Sequence, residues 1–413
     1  MREGWKNLAL AAASLGFTLL LIEFVLLPFA FPFVPLKLHA AFPRGVRVLA
    51  QSSKSGAVPH HYLALLGDSY AQGYGDWLLD VNPNTNPPFH SAHVLFQRSG
   101  RDVISFGASG AGSLRGLASE PVGVLGYLRL TALFRTADPD ALLVYFYEGN
   151  DVDDNVRDLG LRWDPQHPRS ELRDRSAFRR FIAETVVGQS PLAQDQRDFR
   201  FSDNFLLTRA FLRGVHALLF PDPTQTVEVI SYPPGRINRA EIGGREVALP
   251  DRLQSPALAL SEQELDDGLY VFEQALAFLR DQFPHVPTTV VYLPSPLSCY
   301  RIRSPQVSIQ LEEQGRGGEI QPRELLALRS DRICRFVADA ARAAGAGFVD
   351  PRTTLWPLAA RQPIHGPRDW KHFNRSGYEA LAEALLPALS QPDPVQGSCL
   401  SLTALLAPDS PAP

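Results

Sequence analysis

The chain has 413 residues, of which 45% are apolar and 20% are charged, and its formal net charge is −4. This length and apolar fraction predict a packed globular body and exclude a wholly disordered chain. The slight negative charge leaves no broad basic face, so we expect no nucleic acid partner.

The N-terminal part of the chain is a long apolar stretch. Between Leu8 and Leu36 the only ionisable side chain is Glu23. This run exceeds the roughly 7 to 15 apolar residues of a signal-peptide core, and about 20 residues suffice to span a bilayer. The candidate cleavage site Leu38-His39-Ala40 has a large residue at its first position. We therefore expect an uncleaved single-pass membrane anchor within residues 1–36.

The orientation of this anchor follows only weakly from charge. Basic residues lie on both sides of the span, and large domains cross membranes regardless of such a count. We expect a cytoplasmic N-terminal stub, with the rest of the chain outside the cytoplasm. There, Cys299, Cys334 and Cys399 allow one disulfide, in any of three pairings, and one free thiol.

After a connector at residues 37–60, short apolar runs alternate with helical stretches. Each run is bounded by Gly, Pro or Asp, which is typical of buried parallel strands. The alternation predicts an α/β domain over residues 61–390. Strands are predicted at residues 61–66, 103–106, 141–147, 288–293 and 347–350. Helices are predicted at residues 120–136, 261–283, 322–344 and 375–389, the second of them opening with a capping box at Ser261.

Between residues 152 and 260 the alternation stops, and this segment is too long for a plain loop. It carries a helical pattern at residues 201–220 and a hairpin signal at Gly243-Gly244. Such an insertion either shapes the substrate site or only embellishes the fold, and the sequence leaves both open. The Pro-rich tail at residues 391–413 is expected to lack fixed structure.

Polar motifs follow the first three predicted strands, and a fourth precedes the last helix. They are Gly67-Asp68-Ser69, a glycine-rich turn at residues 106–113, Glu148-Gly149-Asn150-Asp151 and Asp369-Trp370-Lys371-His372. In an open doubly wound sheet, ligands bind outside the carboxyl ends of the strands. We therefore expect the four motifs to converge on one edge of the sheet.

These residue types suit acyl transfer. A serine hydroxyl such as that of Ser69 needs a base, and the imidazole of His372 suits that task at neutral pH. Asp369 lies three residues upstream of His372, where it can orient the ring and stabilise its cation. The backbone N–H groups of Ser69 and Gly110 and the side-chain amide of Asn150 can bind an oxyanion.

The four motifs resemble those of the SGNH hydrolase superfamily, the GDSL esterases and lipases. The resemblance implies a flavodoxin-like three-layer α/β/α fold with a mostly parallel five-stranded sheet. It also implies Ser69 as nucleophile, Asp369 and His372 as its partners, and Ser69, Gly110 and Asn150 as oxyanion donors. It covers residues 62–389 apart from the insertion. Glu148 departs from the usual Gly-x-Asn-Asp motif, and we expect its carboxylate to point away from the oxyanion, whose charge it would oppose.

Other residues are weaker candidates for these roles. Ser109 lies in Gly-Ala-Ser-Gly-Ala, which lacks the last glycine of a nucleophile elbow and follows the second strand, not the first. His365 has no aspartate three residues upstream and lies in a plain loop context. Asp68 is expected to bond to backbone in the serine turn, and Asp151 to stabilise the start of the next segment.

We expect no metal and no cofactor. The acidic run that starts at Asp151 is not an EF-hand loop, because its sixth and twelfth positions hold Val156 and Arg162. His90 and His93 have no nearby acid or cysteine in a zinc-ligand arrangement.

The leading hypothesis is a membrane-anchored serine esterase of the cell envelope. It would hydrolyse, or transfer, an acyl group on a small-molecule, lipid or glycan ester through a Ser69 acyl-enzyme. The alternative is a non-catalytic envelope module that binds glycan or protein on the same fold.

Overall fold

The centre of the protein is a parallel β-sheet, which gives a doubly wound α/β fold. The computed structural model describes residues 2–79, 82, 84–86, 90–219, 232–311, 318–391 and 395–407.

The strands of the protein are β1 (Tyr62–Leu66), β2 (Asp102–Ser105), β3 (Ala141–Tyr147), β4 (Pro234–Ile242), β5 (Arg245–Pro250), β6 (Thr288–Leu293), β7 (Arg301–Ile302), β8 (Gln306–Ile309), β9 (Glu319–Pro322) and β10 (Gly347–Val349). Five of them form the parallel sheet in the order β2-β1-β3-β6-β10. This flavodoxin-like order confirms the predicted fold class.

Helices surround the sheet. They are α1 (Arg2–Leu21), α2 (Leu27–Ala30), α3 (Leu36–His39), α4 (Arg44–Arg47), α5 (Ser69–Gln72), α6 (His90–Ser99), α7 (Glu120–Leu130), α8 (Asp151–Asp158), α9 (Arg175–Phe181), α10 (Pro191–Arg197), α11 (Leu206–Leu219), α12 (Glu262–Gln282), α13 (Pro296–Cys299), α14 (Arg323–Ala343), α15 (Arg352–Ala359), α16 (Arg375–Leu389) and α17 (Leu402–Leu406). π-Helical turns interrupt or extend this set at Ile22–Leu26, Leu114–Ser119, Leu159–Trp163 and Ile182–Val187. Short 3₁₀ turns lie at Phe31–Phe33, Val48–Ala50, Asp76–Leu79, Arg169–Glu171 and Phe201–Asn204.

The two faces of the sheet bury separate apolar cores, because alternate strand residues face opposite layers. Ala64 and Val144 pack on the face covered by α7, α12 and α14. Leu65 and Leu143, which are paired across β1 and β3, pack on the face covered by α6 and α16. The central strands are therefore buried on both sides, as the short apolar runs predict.

The predicted helices are confirmed, with one boundary corrected. Ser261 and Glu264 form the reciprocal capping box at the start of α12, with N···O distances of 2.9 and 3.3 Å. Helix α7 ends at Leu130, six residues before the predicted end at residue 136. Thr131 is extended there, and its hydroxyl bonds back to the Leu128 carbonyl at 2.7 Å, which closes the helix.

The insertion contains helices and a β-hairpin, as its sequence predicts. Helix α8 packs closely on α12, where a side chain at Gly268 would meet Val152. The hairpin β4–β5 turns through Gly243 and Gly244, whose φ angles of 61° and 69° suit a type I′ turn. Strand β7 pairs with β4 to complete a small antiparallel sheet.

The N-terminal helical segment Gly4–Phe33 is 30 residues long and apolar enough to cross a membrane. It first meets the body of the protein near Glu23, whose carboxylate accepts the backbone N–H of Leu207 at 2.8 Å. Phe24 and Phe205 pack edge to face beside this contact, 5.2 Å apart. Further on, Phe31 is fully buried in the core.

The predicted connector at residues 37–60 packs as part of the body. Leu49 is buried in the core. The Gln51 side chain bonds both to the N–H and to the C=O of Ser105, at 2.9 and 2.7 Å. The Ser53 hydroxyl donates to the Val103 carbonyl at 2.7 Å, and the Ser53 backbone carbonyl accepts the Val103 N–H at 2.9 Å. These contacts cover the outer edge of β2, which would otherwise expose unpaired backbone groups.

The expectation that the tail lacks fixed structure is wrong for residues 395–407. Cys334 and Cys399 form a disulfide, and Cys299 is a buried free thiol. Beyond the bridge, Asp331 accepts the backbone N–H of Leu402, the first residue of α17. Three leucines of α17 are buried, so this short apolar run docks on α14 despite the prolines around it. The rest of the predicted tail, residues 392–394 and 408–413, lies outside the described residues.

Candidate active site

The turn after β1 presents Ser69 at the carboxyl edge of the sheet. Gly67 has a φ of 137°, and a Cβ there would lie 2.8 Å from the Tyr145 carbonyl oxygen, so the turn requires glycine. Asp68 caps α5 by accepting the Tyr70 N–H at 2.9 Å, and this confirms the predicted backbone role of Asp68. Ser69 is then the first residue of α5.

Ser69, His372 and Asp369 form a continuous hydrogen-bonded chain. Ser69 Oγ lies 2.7 Å from His372 Nε2, and His372 Nδ1 lies 2.7 Å from Asp369 Oδ2. Burial opposes the charge of Asp369, but hydrogen bonds from the His372 ring and from the Lys371 and His372 backbone outweigh burial and lower its pKa. The aspartate is therefore ionised at neutral pH, as an acid that orients a histidine requires.

A tyrosine and a second aspartate bond to the loop that carries His372. Tyr70 donates its hydroxyl to the Lys371 carbonyl at 2.8 Å. Asp76 accepts the backbone N–H groups of Arg368 and Asp369. Asp76 was not predicted as a site residue, because its contact joins residues nearly 300 positions apart and only the neighbouring Gly75 marks a turn there.

The three predicted oxyanion donors lie at the ends of the adjacent strands β2, β1 and β3. Ser69 is the first residue of its helix, where a backbone N–H has no partner within the helix. In the part of the chain that the structure describes, no acceptor bonds to the N–H of Ser69 or of Gly110. The side-chain oxygen of Asn150 is buried without a partner in that same part. Gly110 is exposed and has a φ of 64°, which favours glycine.

Two side chains join the loops that carry these donors. Asn155, on α8, accepts the Ser113 N–H at 2.7 Å and donates to the carbonyl of Gly268 at 2.9 Å. Gln72, on the helix of the serine, accepts the N–H of Ser109 at 2.8 Å. Both residues were missed as site residues, since neither belongs to a motif. They tie the Gly110 loop to the elements that carry Asn150 and Ser69.

The Glu148 carboxylate bonds to residues of β6 and α14 and to the turn after β6, and not to Ser69, Gly110 or Asn150, as expected. Its buried carboxylate accepts the backbone N–H of Ser295 at 2.8 Å, the Ser330 hydroxyl at 2.8 Å and the Tyr292 hydroxyl. Tyr292 lies on β6, Ser295 follows β6 and Ser330 lies on α14. The substitution of the usual glycine is thus accommodated by a dedicated set of donors.

Asp151, the first residue of α8, has a structural contact, as predicted, but the contact joins it to the end of β3 and does not cap α8. One of its carboxylate oxygens accepts the Tyr147 N–H at 2.9 Å. Burial, reinforced by the neighbouring carboxyl group of Asp68, raises the pKa of Asp151 well above its ordinary value.

The rival candidates do not bond to Ser69, His372 or Asp369. Ser109 is exposed, and its backbone bonds to Gln72. His365 does not lie in a plain loop, because it is buried beside Trp370 and bonds to the Tyr300 hydroxyl at 3.1 Å. Burial lowers the pKa of His365 to about 3, so this ring stays neutral.

Comparisons with known proteins add little to this geometry. No protein-family model and no curated protein matches the chain. Among solved structures, it is similar to an extracellular lipase from Streptomyces rimosus, at 15% sequence identity and a TM-score of 0.36. The match covers 80% of this chain and 98% of the lipase. A similarity this slight carries no argument about activity.

Proposed function

We propose that this chain is a serine esterase of the SGNH type, which hydrolyses or transfers an acyl group through a covalent Ser69 intermediate. The observation that carries the proposal is the chain of two 2.7 Å contacts from Ser69 through His372 to Asp369. These distances are those of a nucleophile, its base and the group that orients the base.

The first half of the reaction forms the acyl-enzyme. His372 Nε2 takes the proton of Ser69 as Oγ attacks the ester carbonyl carbon. The negative charge that develops on the carbonyl oxygen is bound by the N–H groups of Ser69 and Gly110 and by the amide of Asn150. The imidazolium, stabilised by Asp369, then protonates the leaving alcohol.

The second half releases the acyl group. Water, or the hydroxyl of an acceptor, gives its proton to His372 and attacks the acyl carbon, and the proton returns to Ser69 Oγ as the ester bond breaks. Hydrolysis and transfer use the same residues, and they differ only in which nucleophile reaches the acyl-enzyme.

A non-catalytic binding module is less well supported. It would be favoured by a His372 ring out of reach of Ser69, or by Glu148 in the oxyanion site. His372 instead lies within hydrogen-bond distance of the serine, and the Glu148 carboxylate is bonded to Ser295 and Ser330.

We place this activity at a membrane, with the helical segment Gly4–Phe33 as an uncleaved anchor and the catalytic domain outside the cytoplasm. Two observations support attachment. The helix is largely unburied by the rest of the protein. Beside it, Phe201, Phe211 and Leu212 are also exposed, on the segment that contacts Glu23 and Phe24. Acylated lipids or glycans of the cell envelope are the substrates that such a position favours.

A fluorophosphonate probe, which labels activated serines, tests the proposal. The full chain in detergent should be labelled, and Ser69→Ala should not be. Ser109→Ala is the matched control, because it removes the neighbouring serine of the oxyanion loop and should keep the label. Equal labelling of wild type and Ser69→Ala would contradict the nucleophile assignment.

A further inference from the structure

A cavity of about 560 Å³ adjoins the candidate active site. One wall is the loop after β2, at residues 107–109, together with Gln72 and Tyr74. The ring of Tyr74 lies 5.8 Å from the ring of His372, so this wall reaches the catalytic chain. The opposite wall is formed by residues between Leu36 and Val48, which directly follow the apolar N-terminal helix.

The lining of this cavity carries more positive than negative charge. Arg44, Arg47 and Arg115 contribute guanidinium groups, and Glu120 is the one carboxylate among the lining residues. Glu120 Oε1 accepts from Arg115 Nε at 2.9 Å and also from Arg44. Burial lowers the pKa of His39, so this lining histidine adds no charge at neutral pH. One carboxylate leaves the three arginines with surplus positive charge.

The side chains of Arg44 and Arg115 pair with Glu120 and are also partly exposed to solvent. The side chains of Arg44 and Arg115 are 36% and 32% exposed, whereas that of Glu120 is 7% exposed. A second cavity of about 570 Å³ is also lined by Arg44, Arg115 and Glu120, together with Arg162. An anion entering the first cavity therefore meets guanidinium donors that are already held in place by a buried acid.

We propose that this cavity binds the phosphate group of an anionic lipid ester, whose acyl bond then lies at Ser69. The inference rests on the proposed esterase function and names its substrate class. Guanidinium groups bind phosphate through paired, charge-assisted hydrogen bonds. The volume is that of a small-molecule site. Because one wall directly follows the apolar helix, the cavity lies where the headgroup of a membrane lipid would be presented.

Binding is measured first, on the full-length Ser69→Ala protein in detergent micelles, by titration calorimetry. The probes are 1-oleoylglycerol 3-phosphate, neutral 1-oleoylglycerol and inorganic phosphate. The phosphate lipid should bind at least about tenfold more tightly than the neutral lipid. Equal affinity for the two lipids would overturn the proposal, and binding of inorganic phosphate without a preference for the phosphate lipid would overturn its assignment to lipid.

Two substitutions with opposite expected effects separate binding from structural support. Arg115→Gln should weaken binding of the phosphate lipid about tenfold, because it removes a charged donor. Glu120→Gln should strengthen binding, because it removes the carboxylate that competes for the arginines. Arg342→Gln, which alters an exposed ion pair on α14, is the control and should change nothing. Lower melting temperatures with unchanged lipid affinity in both cavity variants would assign the cluster a purely structural role and overturn the proposal.

Turnover then links the cavity to the catalytic site. The wild type should favour the phosphate lipid over the neutral lipid in kcat/KM, and Arg115→Gln should lower that ratio about tenfold. Hydrolysis of both lipids without preference would refute the phosphate site and leave the esterase intact. Tight binding by Ser69→Ala with no turnover of either lipid by the wild type would refute the placement of the acyl bond at Ser69 and leave the phosphate site intact, and absence of fluorophosphonate labelling as well would refute the esterase.

Discussion

The carboxylate of Asp76 accepts the backbone N–H of Asp369, and so connects the serine side of the site to the histidine loop. The same carboxylate accepts the N–H of Arg368 at 3.1 Å. Asp76 begins the short 3₁₀ turn Asp76–Leu79, close in sequence to Ser69. Asp76 therefore helps to fix the position of the His372 loop relative to Ser69.

Asp76→Asn should lower kcat by about tenfold with little change in KM, because one strong acceptor is lost and the loop of His372 can shift. Steady-state kinetics and the melting temperature are measured on the same preparation. Asp138→Asn, at an exposed ion pair with Arg129, is the matched control. A lower melting temperature with normal kcat per folded molecule would show that Asp76 supports only the fold.

Activity on an activated acetyl ester should fall as the pH drops from 8 to 5. Histidine side chains take up a proton in this range, and a protonated His372 cannot accept the proton of Ser69. Asp369 does not cause this loss, since its pKa is lowered from the ordinary value of a carboxyl group and it stays ionised over this range. A carboxyl group with a depressed pKa stabilises the fold above its unfolded pKa, and this contribution disappears only as the pH falls through the folded value. A pH–rate profile that is flat from pH 8 to pH 4 would exclude His372 as the base.

Asp369→Asn should preserve the fold and reduce kcat by about 10³- to 10⁴-fold, because an amide permits the wrong imidazole tautomer. Asp339→Asn, at an exposed position on α14, controls for the loss of a surface charge. The measurement is kcat together with a circular dichroism spectrum of each variant. Near-normal turnover of Asp369→Asn would move the orienting role to another residue.

Asn150→Ala should lower kcat by about 100- to 1000-fold, or roughly 2.7 to 4 kcal/mol, with KM almost unchanged. The amide acts on a charge that exists only in the transition state, so its loss affects the rate and not substrate binding. If Asn150 only supports the turn after β3, the variant will instead melt at a lower temperature and keep its activity. Kinetics and melting on one preparation distinguish these two results.

Cys399→Ser should destabilise the protein by about 2 to 4 kcal/mol, because the bridge to Cys334 closes a long loop in the unfolded chain. Denaturant unfolding under oxidising conditions measures this change. Cys299→Ser is a poor control because that thiol is fully buried, so the wild type with and without reductant serves instead. An unfolding midpoint that is the same in all samples would mean that the bridge does not stabilise the fold.

The sequence predicted the parts of the structure that depend on local pattern. The strands at residues 141–147 and 288–293 have the predicted bounds, because each is a buried apolar run between polar or proline-containing turns. The side chains of Ser69, His372 and Asp369 lie together as the motifs predicted, because parallel strands end at one edge of the sheet. Their catalytic roles stay predictions.

Features that depend on contacts distant in the sequence were not predicted. The docking of α17 on α14 depends on a disulfide whose pairing three cysteines left open, and on leucines hidden among prolines. Asn155 belongs to no motif, yet it bonds both to Ser113 in the loop after β2 and to the Gly268 carbonyl on α12. The cavity lined by Arg44, Arg47 and Arg115 joins the segment after the apolar N-terminal helix to the π-helical turn before α7, and no local pattern brings these two segments together.

If Ser69 carries the acyl group during turnover, mass spectrometry of a rapidly quenched reaction will detect it on that residue. The full chain is mixed with an activated acetyl ester, acid-quenched within the first turnovers and digested. We expect one acetyl group on the peptide that contains Ser69, present in wild type and in Ser109→Ala and missing in Ser69→Ala. Continued turnover with the acetyl group on a different residue, or in the Ser69→Ala protein, would contradict it.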